Sequence, residues 1–386
     1  MNSFNYFIPT KVLFGPGKLN ELAKEPLPGS RALIVVSGGT SMKKYGYLER
    51  VQGLLKQQGV DSVVFDKILP NPILAHVTEG AQLAKAEKCD FIIGLGGGSS
   101  IDSAKSIAVM AKNSGNYWDY VHGGSGKGQP IKNGVLPIVA ITTTAGTGTE
   151  ADPWTVITHE ERNEKIGFGT EATFPTLSIV DPELMVSVPP HLTAYQGFDA
   201  LFHAVEGYIA NIASPVSDGF ALSSIELIAK SLAAAVKDGS NIQARTDIAL
   251  ANTLSGFVES TSSCTSEHSM EHAMSAFYPA LPHGAGLIML SEAYFSFFED
   301  KIPEKFARMA SAMGMEAEPG NFVKALMKLQ KDCGVDQLKM SDYGISKEEI
   351  GKLAENAKFS MGGLFDMDSY SLSMAETVSI MEAAYK

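Results

Sequence analysis

Three apolar runs in the first half of the chain each break off into a turn of small residues. RALIVV (31–36) runs into Ser37-Gly38-Gly39-Thr40-Ser41, DFIIGL (90–95) into Gly96-Gly97-Gly98-Ser99-Ser100, and PIVAI (137–141) into TTTAGTGTE (142–150). Runs that are apolar throughout suit strands buried on both faces, which is the situation in a parallel sheet covered by helices. Helical patterns between them (about Tyr45 to Gln58, His76–Lys88, and from Ile101 onward) and a further strand at Asp61–Phe65 complete the alternation. The first segment, 4–14, reads as a strand or hairpin ending at Gly15-Pro16-Gly17, and Lys18–Lys24 as helical. After Val180-Asp181-Pro182 the text changes to Ala, Leu, Met and Glu with few β-branched runs. The expected fold is therefore an α/β N-terminal domain with a parallel Rossmann-like sheet, residues 1–185, followed by an all-α helical domain, residues 186–386. The cleft between them is the expected ligand site.

The turns carry chemistry of their own. A Gly-rich turn opening a helix lets the backbone approach an anion, and the free N–H groups of the first helical turn favour a pyrophosphate. TTTAGTGTE offers hydroxyls to phosphate or ribose, and both turns leave strand C-termini, where open α/β sheets bind ligands. The turn 37–41 holds no acid and is followed by Lys43 and Lys44. This favours NADP(H) over NAD(H), since an acid there would repel a 2′-phosphate. Asp66, at the end of the Asp61–Phe65 strand, points the other way.

In the second half, Asp199 and His203 are four residues apart in FDALFHAVEGY, and His268 and His272 repeat the spacing in EHSMEHAMSAF. Side chains four apart leave one face of a helix. His283 sits between Pro282 and Gly284, a loop-like setting. Four of these five would close a site around one divalent ion, leaving one over. Imidazoles with a carboxylate suit Fe(II) or Zn(II), and the donor set does not choose between them. Cys264 lies close by in sequence and reads as a small packing residue. Phe198, Phe202, Met270, Met274, Phe277 and Tyr278 flank the histidines and suggest surroundings for an apolar small substrate.

A net charge of −12 argues against a nucleic-acid surface and against anionic membranes. Three cysteines without metal-ligand spacing suit a reduced, cytoplasmic compartment. There is no uninterrupted apolar run of membrane-spanning length, and the N-terminal text lacks the pattern of a signal peptide.

Several stretches together resemble the iron-containing alcohol dehydrogenase family: PTKVLFGPG at 9–17, PNP at 70–72, GGGSSIDSAK at 96–105, TTAGTGTE at 143–150, VDPELM at 180–185, GFDALFHAVE at 197–206 and PHGAG at 282–286. Within the family, SGGTSMKK looks like the turn of NADPH-preferring butanol dehydrogenase members. The resemblance spans essentially the whole chain. It implies that Asp199, His203, His268 and His283 hold the metal and that His272 is the unliganded histidine near the reacting carbon, a candidate proton relay because an imidazole titrates near neutral pH. It implies that Asn71, Gly97, Gly98, Ser99, Asp102, Thr143, Thr144, Thr147 and Lys165 line the cofactor, beside Gly38, Gly39, Thr40 and Ser41 of the turn read above, and that Trp154 lies near the substrate. Departures from the family pattern are Thr142, Thr149, one extra residue between His268 and His283, and a divergent stretch at 151–165. The implied activity is reversible hydride transfer between a nicotinamide cofactor and a small alcohol or aldehyde by a homodimer or larger assembly. The alternatives are a dehydroquinate-synthase-like or glycerol-dehydrogenase-like enzyme on the same scaffold, and a non-catalytic protein binding nucleotide and metal.

Overall fold

The computed structural model describes residues 3–386. The strands are β1 (Lys11–Phe14), β2 (Arg31–Ser37), β3 (Asp61–Ile68), β4 (Phe91–Gly96), β5 (Ile138–Thr142), β6 (Thr155–His159), β7 (Glu164–Phe168) and β8 (Leu177–Val180). Six of them form one sheet in the order β1-β8-β5-β4-β2-β3, parallel throughout, while β6 and β7 pair as an antiparallel hairpin. Helices α1 (Ser41–Lys44), α2 (Tyr47–Gln57), α3 (Leu74–Ala86) and α4 (Gly98–Lys112) belong to this half. Along β2, Leu33 and Val35 enter one core while Ala32, Ile34 and Val36 enter another, so both faces are covered. That is why the run is apolar throughout and why the chain folds as expected here.

The strand order also locates the ligand edge. From β2 the chain moves outward to β3, then returns past β2 to β4 and continues in the opposite direction to β5. The gap between β2 and β4 is thus the point where the winding reverses, which is where open α/β sheets bind ligands beyond their C-terminal strand ends. The turns 37–41, 96–100 and 142–150 all open at this edge.

Three local expectations change. The N-terminal strand covers only Lys11–Phe14, paired with β8 at the sheet margin, and residues 3–10 form no strand. The helix expected from Tyr45 begins earlier and is split at Gly46, whose φ of 71° interrupts α1 from α2. The hairpin β6–β7 falls in and just beyond the divergent stretch 151–165, where the sequence offers no strand pattern of its own. Its turn depends on Asn163 adopting φ 50°, which asparagine tolerates.

From Pro190 onward the structure is helical: α5 (Pro190–Ile209), α6 (Pro215–Lys237), α7 (Ile242–Thr261), α8 (Ser266–Phe277), α9 (His283–Glu299), α10 (Pro303–Ala312), α11 (Pro319–Asp332), α12 (Ile350–Phe365) and α13 (Met374–Ala384). Helix α5 is the centre of this half and packs on α6, α7 and α9. Helix α6 is long and apolar enough, by length and composition, to cross a membrane, but it packs against α5 and α7. A Cβ on Gly148, which has φ 63°, would lie 2.6 Å from the backbone of Gly256. The turn after β5 therefore rests directly on α7, and Gly148 N–H donates to Asn252 Oδ1 at 2.9 Å. This contact joins the sheet edge to the helices.

Candidate active site

Helix α5 presents Asp199 and His203 one turn apart, α8 presents His268 and His272, and His283 is the first residue of α9. The loop-like setting expected of His283 is thus a helix start, with Pro282 just ahead of it supplying the extended entry. Asp199 Oδ1 is the hub: it lies 3.4 Å from His203 Nδ1, 3.7 Å from His268 Nε2 and 3.5 Å from His283 Nε2. Ligand atoms sharing one ion through bonds of ~2.1 Å at tetrahedral angles would stand ~3.4 Å apart. Asp199 Oδ1, His203 Nδ1 and His268 Nε2 are also buried without a hydrogen-bond partner. Unpartnered buried polar atoms are costly, and three converging on one point fit a cation. His272 stands off: its Nδ1 faces Met361 Sδ at 2.8 Å, and its ring centre is 6.3 Å from that of His268.

The electrostatics follow from this packing. Burial pushes the Asp199 carboxyl up, but the facing imidazoles of His203, His283 and His268 outweigh it and bring it down to about 2. Burial, with help from the Lys165 ammonium, holds both His283 and His272 well below the ordinary imidazole value. The expectation that His272 titrates near neutral pH is set against this direction: burial makes its imidazole harder to protonate than a free one. Behind the site stand two glutamates absent from the sequence reading. Glu206 contacts His268 Nδ1 and also accepts from Thr265 N–H at 2.7 Å and Thr265 Oγ1 at 2.8 Å, while Glu271 contacts His283 Nδ1. Each carboxylate fixes a tautomer and so aims the opposite nitrogen at Asp199. The sequence signal was present in the His203/Glu206 spacing and in the alternation of Glu267 and Glu271 with His268 and His272.

A cleft of ≈ 360 Å³ opens from this cluster toward the sheet edge. Asn71, Gly98, Ser99, Asp102, Thr147, Trp154 and Lys165 line it, together with His203, His268, His272 and His283. A Cβ on Gly98 would lie 2.5 Å from Thr147 Cγ2, and one on Gly97 would lie 2.9 Å from Thr144 Cγ2. Glycine is thus what lets α4 start directly beneath the neighbouring turn. Thr143 is buried behind these glycines, its N–H donating to Gly96 O at 2.9 Å. Gly38, Gly39, Thr40 and Ser41 are exposed at the end of β2. Lys43 Nζ lies 2.5 Å from Asp66 Oδ2 and holds that carboxyl below its ordinary value.

Some expected roles shift with the geometry. The Asp102 carboxylate accepts from Thr149 Oγ1 at 2.6 Å and from Val156 N–H at 2.9 Å, and burial raises it to about 6. It therefore ties α4 to the turn after β5 and to β6. Lys165 reaches Ser275 Oγ at 2.8 Å and Glu271 Oε2 at 3.5 Å, so its ammonium belongs to the histidine side of the cleft. Phe198, Phe202, Met270 and Met274 are fully buried in the helical core, because residues adjacent in sequence to Asp199 and the α8 histidines leave the helix on other faces. Cys264 is not a packing residue: its thiol lines the cleft, within mutual reach of His203 and His268. So does Glu259, whose Oε1 is 3.5 Å from His203 Nε2.

Comparison with known proteins agrees with this architecture. Residues 9–182 match the family described as iron-containing alcohol dehydrogenase, and residues 193–385 match its C-terminal part. A choline dehydrogenase of Bacillus subtilis is 36% identical, with 92% of this chain and 90% of that protein covered. The structure of an archaeal halo-thermophilic alcohol dehydrogenase from a Red Sea brine pool superposes with a TM-score of 0.95 at 33% identity, covering 99% of both chains. That of an NADH-dependent butanol dehydrogenase from Thermotoga maritima superposes with a TM-score of 0.89 at 30% identity, covering 100% of this chain and 99% of that one. The chain belongs to the iron-containing alcohol dehydrogenase family.

Proposed function

We propose that this enzyme transfers a hydride reversibly between NADP(H) and a small primary alcohol or its aldehyde, with Asp199, His203, His268 and His283 holding Fe(II) or Zn(II). The observation that carries the reading is the convergence of three buried, unpartnered ligand atoms, Asp199 Oδ1, His203 Nδ1 and His268 Nε2. When bound, the metal supplies a Lewis acid for the substrate oxygen. The chain's own residues do the rest. Glu206 and Glu271 hold His268 and His283 in place. The N-terminus of α4 with Gly97, Gly98 and Ser99 offers free N–H groups to a pyrophosphate, and Thr144 and Thr147 stand above it. Asn71 and Lys165 close the sides of the cleft, and Trp154 marks its mouth. His272, with Nδ1 against Met361 Sδ and its basicity lowered by burial, takes the hydroxyl proton at Nε2 and passes it on to solvent.

Preference for NADP(H) rests on the turn 37–41, which carries no acid, and on Asp66 being already paired with Lys43. Division into lobes near residue 185 puts this cleft at their junction. Phe4, Tyr6 and Phe7, each more than 40% exposed ahead of the margin strand β1, support assembly as a homodimer or larger, since an open sheet edge beside exposed aromatics invites a second copy. Unpaired Cys89, Cys264 and Cys333 support a reduced, cytoplasmic setting. The test is anaerobic steady-state kinetics with butyraldehyde on metal-loaded enzyme, NADPH against NADH. Turnover favouring NADPH is expected. Tight NADPH binding without turnover of any alcohol or aldehyde would instead leave a nucleotide-binding protein.

A further inference from the structure

Besides Asp102 and Asp152, the cleft contains a carboxylate that the reading above does not use. Glu259, on the last turns of α7, is only 8% exposed, and its Oε1 has no hydrogen-bond donor. Its Oε2 receives only the Cys264 thiol, at 3.9 Å. Among the described residues no lysine or arginine pairs with it: Lys165 is engaged by Glu271 and Ser275, and Lys105 by Asp152 and Thr149. Its neighbour is His203, which faces it with Nε2 at 3.5 Å while turning Nδ1 toward Asp199 at 3.4 Å. The imidazole therefore stands between the Asp199 cluster and Glu259, and Glu259 faces the substrate side. Trp154 completes the arrangement. Its indole N–H donates to the Glu259 backbone carbonyl at 3.4 Å, which ties the ring to the residue that carries the carboxylate, and it remains 39% exposed at the mouth.

A carboxylate buried without a cation is costly, and a cation arriving through the cleft would offset that cost. An aromatic face beside an anion is the arrangement that holds an ammonium group, by charge on one side and by the ring quadrupole on the other. Ser263, Cys264 and Met361 line the same cleft, together with Val156, Ile166 and Leu364. Phe198, Phe202, Met270 and Met274 are buried in the helical core and do not line it.

We infer that the substrate end of this cleft selects an alcohol bearing a positive charge, an amino or quaternary-ammonium alcohol, with Glu259 as counter-ion and the Trp154 indole as the flanking face. The inference rests on the proposed alcohol oxidation and narrows its substrate class.

The experiment compares choline with 3,3-dimethylbutan-1-ol, which has the same shape without the charge, on the metal-loaded wild type and on Glu259→Gln, at constant ionic strength. Wild-type kcat/KM is expected to favour choline by about tenfold or more, and that ratio to collapse by a similar factor in Glu259→Gln. Tetramethylammonium chloride, followed by indole fluorescence against sodium chloride, should bind the wild type and bind the variant about tenfold more weakly. Equal or better use of the neutral alcohol by the wild type would overturn the inference. So would a better response to propane-1,3-diol, which would make Glu259 a hydroxyl acceptor. Parallel loss of both substrates and of bound metal in Glu259→Gln would make it an orienting partner of His203. If no alcohol is oxidised, butan-1-ol included, the proposed function fails, and the fluorescence titration alone still decides the role of Glu259.

Discussion

The sheet edge offers its ligand backbone and hydroxyls: Gly97, Gly98, Ser99, Thr144 and Thr147 surround the start of α4, and the nearest charges, Asp102 and Lys105, are turned into the structure by Thr149, Val156 and Asp152. On the helical side almost every contributing group is ionisable and buried, from Asp199 and three imidazoles to Glu206, Glu259 and Glu271. The first surface tolerates a neutral error and is damaged by bulk. The second is damaged by the loss of a single polar atom, since each buried group depends on the next.

The largest expected effect lies on the helical side. His268→Ala removes one of the atoms facing Asp199 and leaves Glu206 buried without its imidazole. Turnover should fall by several kcal/mol of barrier, roughly 10³-fold or more, with metal lost on dialysis and NADPH affinity retained. Glu206→Gln, which alters the partner of the far nitrogen of His268 and of Thr265 without removing a ligand, should weaken metal binding by about 10–100-fold. Retained metal in both variants would show that the ligands are others.

The division between neutral edge and charged cluster is tested next where the two meet. Glu150, on the turn after β5, accepts from Asn252 Nδ2 at 2.9 Å and Thr253 Oγ1 at 2.8 Å of α7, and burial raises its carboxyl from 4.5 to about 7. The folded state thus keeps a proton that the unfolded chain releases. The associated stability is fully present below pH 4.5 and is lost as pH rises through about 7. The shift corresponds to about 3 kcal/mol. Glu150→Gln keeps the acceptor but cannot ionise, so the drop in Tm between pH 5 and pH 8 should be smaller than in the wild type. Asp102 and Asp368, raised by burial to about 6 and about 7, add slopes of the same sign in both proteins. The difference between the two proteins is therefore the quantity to read. An unchanged difference would mean that Glu150 is ionised in the fold.

Bulk at the sheet edge should do the reverse of His268→Ala. In Gly98→Ala the new methyl would meet Thr147 Cγ2 at 2.5 Å, so the turn above α4 must shift. The KM for NADPH should rise by about tenfold, on the order of 1–2 kcal/mol, while metal content stays at the wild-type level. A loss of metal in this variant would erase the distinction between the two surfaces.

The same contrast governs what could be read from residues alone. Strands β2, β4 and β5 were visible because burial on both faces forces an apolar run, and the turns were visible because close approach forces glycine. The pairs Asp199/His203 and His268/His272 were visible because helical spacing is regular. Strands β6 and β7 were hidden by the charged text of their turn, and β8 is too short to carry a pattern. Glu206 and Glu271 carry helical spacing to the histidines and Glu259 carries none, but a glutamate on a helix ordinarily faces water. Only tertiary packing decides that these three are buried. The cleft wall departs from expectation for a related reason: Phe198 and Phe202 adjoin the ligands in sequence yet are buried in the core, while Glu259 adjoins His203 in space.

The smallest expected effect concerns Lys43. Its pair with Asp66 is exposed on both sides, with side-chain exposures of 58% and 42%, so removing it should change stability by less than about 1 kcal/mol. Its influence on the cofactor is of another kind. In Lys43→Ala the Asp66 carboxylate would face the exposed turn 37–41 uncompensated, and a 2′-phosphate held there would meet a repulsion of about 1 kcal/mol at water-like screening. The kcat/KM for NADPH should fall about fivefold, that for NADH should hold, and the gap should close again in about 0.5 M salt, where the screening length falls to a few ångströms. A neutral backbone surface would thus owe its discrimination to one borrowed charge pair at its rim. Equal changes for both cofactors would break that link and assign the choice of nucleotide to the shape of the glycine turn alone.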